Sequence, residues 1–246
     1  MNRNEYFPML EVSSLSVHLA WATLEVRGDS VDQLQVLVSG GESDTAALRI
    51  TCAQGHLLIE QPNLGISPSL ATAGHWMEIL IRVPLDWKGP LDLSTISGRL
   101  TASGLNGTDL ELCTVSGALS AGQLGGIRCH LRTVSGALRA EGVTCNELVL
   151  RSVSGSVTME DSVFSQGNLD SVSGDFSLSL LEPIDLLNVT TVSGSLALEA
   201  PITSACIRRK APGGHLRTKG LSLQDQGVPI SMTTVSGDLE IIGGAG

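Results

Sequence analysis

Residues 114–119 read Thr-Val-Ser-Gly-Ala-Leu, and residues 133–138 repeat the string letter for letter. Close variants stand at 94–100 (STISGRL), 152–157 (SVSGSV), 171–176 (SVSGDF), 191–196 (TVSGSL) and 234–239 (TVSGDL). Their serines are Ser97, Ser116, Ser135, Ser154, Ser173, Ser193 and Ser236, at intervals of 19, 19, 19, 19, 20 and 43 residues. The long interval divides at Gly213-Gly214-His215-Leu216, a degenerate copy, which makes eight units from Leu91 to about Ile242. A fixed short period is the signature of stacked repeats.

The rest of each unit keeps step with its serine. Six and four residues earlier stand apolar pairs such as Leu91 and Leu93, Leu110 and Leu112, or Leu148 and Leu150; three and five residues later come Leu100 and Ala102, Leu119 and Ala121, or Leu196 and Leu198. At eight residues later Leu105, Leu124, Val143, Leu181 and Leu221 recur. Spacing of two is strand alternation, interrupted once at the Ser-Gly. Each unit therefore predicts two short strands joined at a corner. Such a unit buries its apolar face only when copies stack. The predicted fold is all-β: a parallel β-solenoid with 19–20 residues per regular coil, right-handed by the general crossover preference.

One solenoid domain over 1–246 is expected, with irregular longer coils at 10–90, regular repeats at 91–242 and a flexible tail at 243–246. Upstream, Leu15, Val17, Leu19, Leu24 and Val26 fit the frame around Trp21, and Met77, Ile79, Ile81 and Val83 make a further strand. Leu57 and Ile59 follow Gly55 as the later pairs follow their corner glycines, with Leu48, Ile50 and Cys52 before it. The turn-rich stretch 61–74 is the expected mobile insertion.

The corner predicts architecture, not chemistry. A nucleophile is needed once, whereas a corner is needed in every coil. Gly98, Gly117, Gly136, Gly155, Gly174, Gly194 and Gly237 are expected to supply positive φ. The Thr or Ser two residues before each serine, and the serine itself, are expected to form hydroxyl ladders, and the intervening Val to pack on its copies.

The string T-V-S-G-[DS]-[LIV], repeated after Ile81-Arg82-Val83-Pro84, resembles a bacterial family known as "putative adhesins" over residues 10–242. The resemblance implies a β-helical domain of unknown function and brings no catalytic residues with it. A surface adhesin is exported, and the start MNRNEYFPMLEV shows neither the basic start nor the apolar run of a leader. The chain as given therefore predicts a cytoplasmic protein, or a surface or secreted one if a leader has been removed.

Composition narrows function further. A net charge of −10 argues against nucleic acid and anionic membranes as partners. The five cysteines contain no C-x-x-C pair and read as small buried hydrophobes kept reduced. Cys52 with His56, and Cys129 with His130, lack the second pair that zinc needs. Neither metal nor cofactor is predicted. Scattered histidines leave the serines without a base. The stacked carboxylates Glu141 and Glu160, or Asp92 and Glu111, have no aromatic platform for sugar, which makes a carbohydrate-active enzyme the weakest reading. Arg151 over Asp170, and Glu199 against Lys219, are expected as exposed ion pairs.

The deviant coil from Cys206 to Ile230 gathers Arg208, Arg209, Lys210, Arg217 and Lys219, five of the fifteen basic residues. It is either a bulged coil with snorkelling stems or a basic spot for an acidic partner or for another copy of the protein. Tyr6, Phe7 and Pro8 are expected to cap one end, while the Gly-Gly-Ala-Gly after Ile242 caps nothing. End-to-end assembly follows from that reading. The function expected is a non-enzymatic binding or adhesion module for a protein partner, or a self-assembling scaffold.

Overall fold

The computed structural model describes residues 1–62 and 75–244; most of the stretch predicted to be mobile lies outside them. Strands hold 62% of the chain and helix 3%, so the fold is all-β. The N-terminal part contains β1 (Asn2–Pro8), β2 (Ser14–Leu19), β3 (Thr23–Asp29), β4 (Gln33–Gly40), a short helix α1 (Glu42–Ala47), β5 (Arg49–Ala53), β6 (His56–Glu60) and β7 (Met77–Pro84). The regular part begins with β8 (Leu91–Thr95), β9 (Leu100–Ser103), β10 (Asn106–Thr114), β11 (Leu119–Gly122), β12 (Gly125–Thr133), β13 (Leu138–Glu141) and β14 (Thr144–Ser152). It continues with β15 (Val157–Ser171), β16 (Phe176–Leu180), β17 (Leu186–Thr190) and β18 (Leu196–Ala200). The last strands are β19 (Ser204–Lys210), β20 (Leu216–Lys219), β21 (Ser222–Leu223), β22 (Val228–Thr233) and β23 (Leu239–Gly243).

Strands before the corners stack in parallel as a leading sheet, and strands after them as a trailing sheet. Repeat positions fall in register: Leu112 lies between Leu93 and Leu131, and Leu119 between Leu100 and Leu138. Alternate side chains from both sheets fill one continuous apolar core reaching from Val12 to Ile241. The column eight residues after each serine holds for Leu105, Leu124 and Val143, which are buried, and fails at Leu181, which is exposed. A bulge at Asp161 (φ 48°) shifts the register, and Leu180 pairs with buried Ser162 instead.

The corner glycines do not have positive φ; that expectation is corrected. They are glycines because the coils approach too closely for a side chain. A Cβ on Gly117 would run into the carbonyl oxygen of Gly98, one on Gly136 into that of Gly117, and so on through Gly237 against Gly194. The hydroxyls two residues before the serines point inward and are buried. Those of Thr95, Ser171, Thr191 and Thr234 accept the N–H of the glycine three residues on, at 3.1, 2.7, 2.8 and 2.9 Å. A link from hydroxyl to hydroxyl occurs at Thr114–Thr133.

Coil order in space differs from coil order in sequence at both ends. In the leading sheet β22 inserts between β17 and β19, and in the trailing sheet β23 inserts between β18 and β20. The deviant coil is therefore terminal, and the Ser236 coil, with Ile241 and Ile242, is internal. At the other end β2 inserts between β6 and β8, and β3 between β7 and β9. There β4 pairs antiparallel with β7, β1 with β4 and β5 with β6, so the outermost strands break the parallel run. Gln54 and Gly55, at φ 52° and 80°, turn the β5–β6 hairpin, so Gly55 is not a corner. Gln61 Oε1 accepts the N–H groups of Ala20, Trp21 and Ala22 at 3.0, 3.1 and 3.2 Å, closing the stack of corners where a further coil would sit. Gly243, placed in the expected tail at 243–246, belongs to β23, and residues 245–246 lie outside the described residues.

Candidate interaction surfaces

The corner serines are structural donors. Ser116, Ser135, Ser154 and Ser173 each donate their hydroxyl to the backbone carbonyl of the valine or isoleucine one coil earlier, at 3.2, 3.3, 3.4 and 3.3 Å. The same contact on consecutive coils leaves no serine singled out by a base.

The residue before each serine points to solvent. Ile96, Val115, Val134, Val153, Val172, Val192 and Val235 are each between 39% and 55% exposed. They form a seven-rung apolar ladder outside the corners, where packing on their copies leaves one flank open to water. The signal for this was legible: positions six, four and two before the serine are buried, so alternation sends the residue one before it outward.

The trailing sheet carries a chain of shallow clefts on its outer face. Thr101, Ser103, Ser120, Gly122, Thr158, Ser177 and Ala197 form a floor of small side chains interrupted by Arg139 between Ser120 and Thr158; Glu240 ends the row beside Ala197, and Glu141, Glu160 and Glu199 border it. Glu141 pairs in register with Glu160, as expected. Residues with short side chains on consecutive strands leave a trough that larger neighbours wall. The sequence reading missed it, because each coil alone shows only one or two small polar positions.

On the leading sheet Asp92 and Glu111 stack as expected. Burial pushes the Asp92 carboxyl up, with His18 opposing and Glu111 reinforcing. Arg151 meets Asp170 at 3.3 Å. The expected Glu199–Lys219 pair does not form, because Ile242 stands between them in register. Cys129 points into the core while the adjacent His130 faces out, so the two do not converge. A hydrogen bond with Cys129, and then burial, hold the Cys145 thiol protonated; burial does the same at Cys113. Cys52 is exposed and Cys113 and Cys206 are half-buried, so the expectation of buried thiols holds for Cys129 and Cys145.

The five basic residues of the deviant coil are close in sequence but do not form one patch. Arg208 and Lys210 alternate with Arg209 along β19, and Arg217 and Lys219 sit on the outer face of the trailing sheet beside Glu240 and Ile242. Arg209 turns inward over Met232, in the column that elsewhere holds Leu and Val, and donates from Nη2 to Gly213 O at 2.5 Å. The coil is a basic rim around the end of the core, with one arginine plugging it. Charged edge strands of this kind resist pairing with further strands. Ile242 is thus no bare end, and the case for end-to-end stacking loses its basis.

Among the described residues no helix is long and apolar enough to cross a membrane. A family model described as Toastrack DUF4097 matches residues 12–226. The fold is similar to a "putative adhesin" from Parabacteroides merdae ATCC 43184, at 10% identity and TM-score 0.64 over 98% of this chain and 95% of that one. It is also similar to a "putative lipid binding protein" from Parabacteroides distasonis ATCC 8503, at 16% identity and TM-score 0.60 over 99% and 96%. A second P. distasonis protein, a "putative adhesin", matches at 15% identity and TM-score 0.58 over 98% and 97%. At these identities the likeness is one of fold. No curated protein matches.

Proposed function

The chain belongs to the Toastrack DUF4097 family, and from that premise we propose that it is a non-enzymatic binding module that takes a protein partner along the outer face of its trailing sheet. The observation that carries this is the trough, whose floor is Ser, Thr, Ala and Gly apart from Arg139, and in which Glu141, Glu160, Glu199 and Glu240 outnumber that one cation. A floor of small side chains admits another backbone closely, and a row of carboxylates favours a segment rich in Lys or Arg. Arg217 and Lys219 close one end of the face and fix the segment's direction, with any acidic portion at that rim. The names of the similar folds from Parabacteroides support an adhesion-type role at a cell surface.

A photo-crosslinking residue at Ser177 in the trough, compared with one at Asn168 on the leading face, tests the reading in the native host. Adducts are expected from Ser177 and lost with Glu160→Lys and Glu240→Lys together. Adducts from Asn168 alone, or from neither position, overturn it. Protease shaving of intact cells checks the surface location.

A further inference from the structure

We propose that the ladder from Ile96 to Val235 is an interface between two copies of this chain, packed antiparallel about a two-fold axis that crosses at Val153. The ladder valines lie outside the trough, whereas Ser156, Asp175, Ser195 and Asp238 beside them line one of its clefts, so the Val153 variants below test this reading apart from the trough.

Three features point to a second copy. The first is apolar continuity. Six rung spacings of ~4.8 Å give a stripe about 29 Å long. The stripe column and the serine column beside it hold fourteen residues from Ile96 to Ser236, none of them charged, in a chain with 15 basic and 25 acidic residues.

The second is that the flanking hydroxyls are already occupied. Ser116, Ser135, Ser154 and Ser173 donate to carbonyls of the preceding coil, so covering them strands fewer donors than covering free hydroxyls would.

The third is charge placement two residues after each serine. That column carries Arg99 at one end, then Ala118, Ala137 and Ser156, then Asp175, Ser195 and Asp238 towards the other. Antiparallel packing lays this column over its own copy in reverse order. Arg99 of each copy then faces the partner's Asp238, and Ala137 faces the partner's Asp175. Parallel packing places the two columns on opposite flanks and loses both encounters. His215 takes Oδ1 of Asp238 within the chain, through its N–H at 2.6 Å, and Arg99 would approach Oδ2. A two-fold pair with one self-complementary patch is the commonest form of homo-oligomer. A strip of this length and about three columns' width buries on the order of 1,000 Å², the lower end for specific interfaces, so the dimer is a reversible one.

Sedimentation velocity on the full chain across a range of concentrations is expected to show a monomer–dimer equilibrium. Val153→Arg sets like charges against each other on the axis and is expected to weaken the dimer at least tenfold, with an unchanged thermal midpoint at concentrations where the parent is monomeric, because the side chain lies on the surface. In a Cys52→Ser background, Val153→Cys is expected to crosslink to its own copy under oxidation. Val134→Cys should crosslink to Val172→Cys and not to itself. A monomer at every concentration, a dimer indifferent to Val153→Arg, or self-crosslinking of Val134→Cys overturns the proposal.

Discussion

The carbonyl oxygen of Gly98 occupies the space that a Cβ on Gly117 would need. The same relationship recurs from coil to coil, so the seven Ser-Gly strings are a record of how closely one corner sits on the next. Stacking distance, not backbone dihedral, sets the requirement for glycine.

Gly136→Ala is therefore expected to destabilise the fold by about 1–3 kcal/mol, the cost of forcing atoms into a filled space. Gly122→Ala, where a Cβ meets only Ser103 Cβ at 3.9 Å, is expected to stay within about 0.5 kcal/mol of the parent. Chemical denaturation of the two variants side by side checks this. Equal losses would show that the corners can separate.

Thr191 is buried and accepts the N–H of Gly194 at 2.8 Å. Thr191→Val keeps the shape and strands that donor, at an expected cost of about 1–3 kcal/mol. Ser135→Ala removes an exposed donor from a carbonyl and is expected to cost less than about 0.5 kcal/mol. Thermal melts rank the pair; the reverse order would mean that the outer hydroxyls hold the coils together.

Arg209 plugs the end of a column of Leu and Val, and Lys219 lies on the terminal strand of the trailing sheet. Replacing both, Arg209→Leu with Lys219→Val, is expected to turn a protected edge into an adhesive one. Light scattering should show concentration-dependent assemblies larger than dimers. No change in size distribution would assign the protection to other residues of the coil.

Two aspartates respond to acid in opposite senses. The Arg82 hydrogen bond, joined by the Ser30 N–H and Arg27, holds the Asp29 carboxyl below its ordinary range despite the opposing effect of burial. Its contribution is present above the unfolded value of about 4 and is lost as pH falls through the lower folded value. Asp92 is pushed up by burial, so its ionised form strains the fold and protonation relieves it. Acid titration is expected to flatten below about pH 4 in Asp29→Asn, and carboxyl NMR shifts should order the pair with Asp29 below Asp92. The opposite order would refute the assignment.

The repeat itself was fully legible. Identical apolar positions every 19 or 20 residues leave few ways to bury them, and parallel stacking in register is the one observed. The expected rung pair of Arg151 over Asp170 formed because register alone decides which residues are neighbours. Where the order of the coils decides, sequence reasoning failed. Glu199 and Lys219 are adjacent units in the chain but second neighbours in space. The trough was hidden for a similar reason, since it is a property of several strands side by side and of no single coil.

The amino-acid sequence by itself determined the coil length, the two strands per coil, the apolar columns and the place of the corners. These follow from local alternation, and each coil repeats them. Only the tertiary structure decided which coil is last. A terminal coil must close a core that has no further rung. The coil carrying Arg209, Thr218 and a basic rim meets that demand better than the regular coil bearing Ile241, which would expose another adhesive edge. The chain therefore folds its final regular coil inside the irregular one. The closeness of that stacking makes the glycines obligatory, turns the threonines inward and leaves the valines facing out.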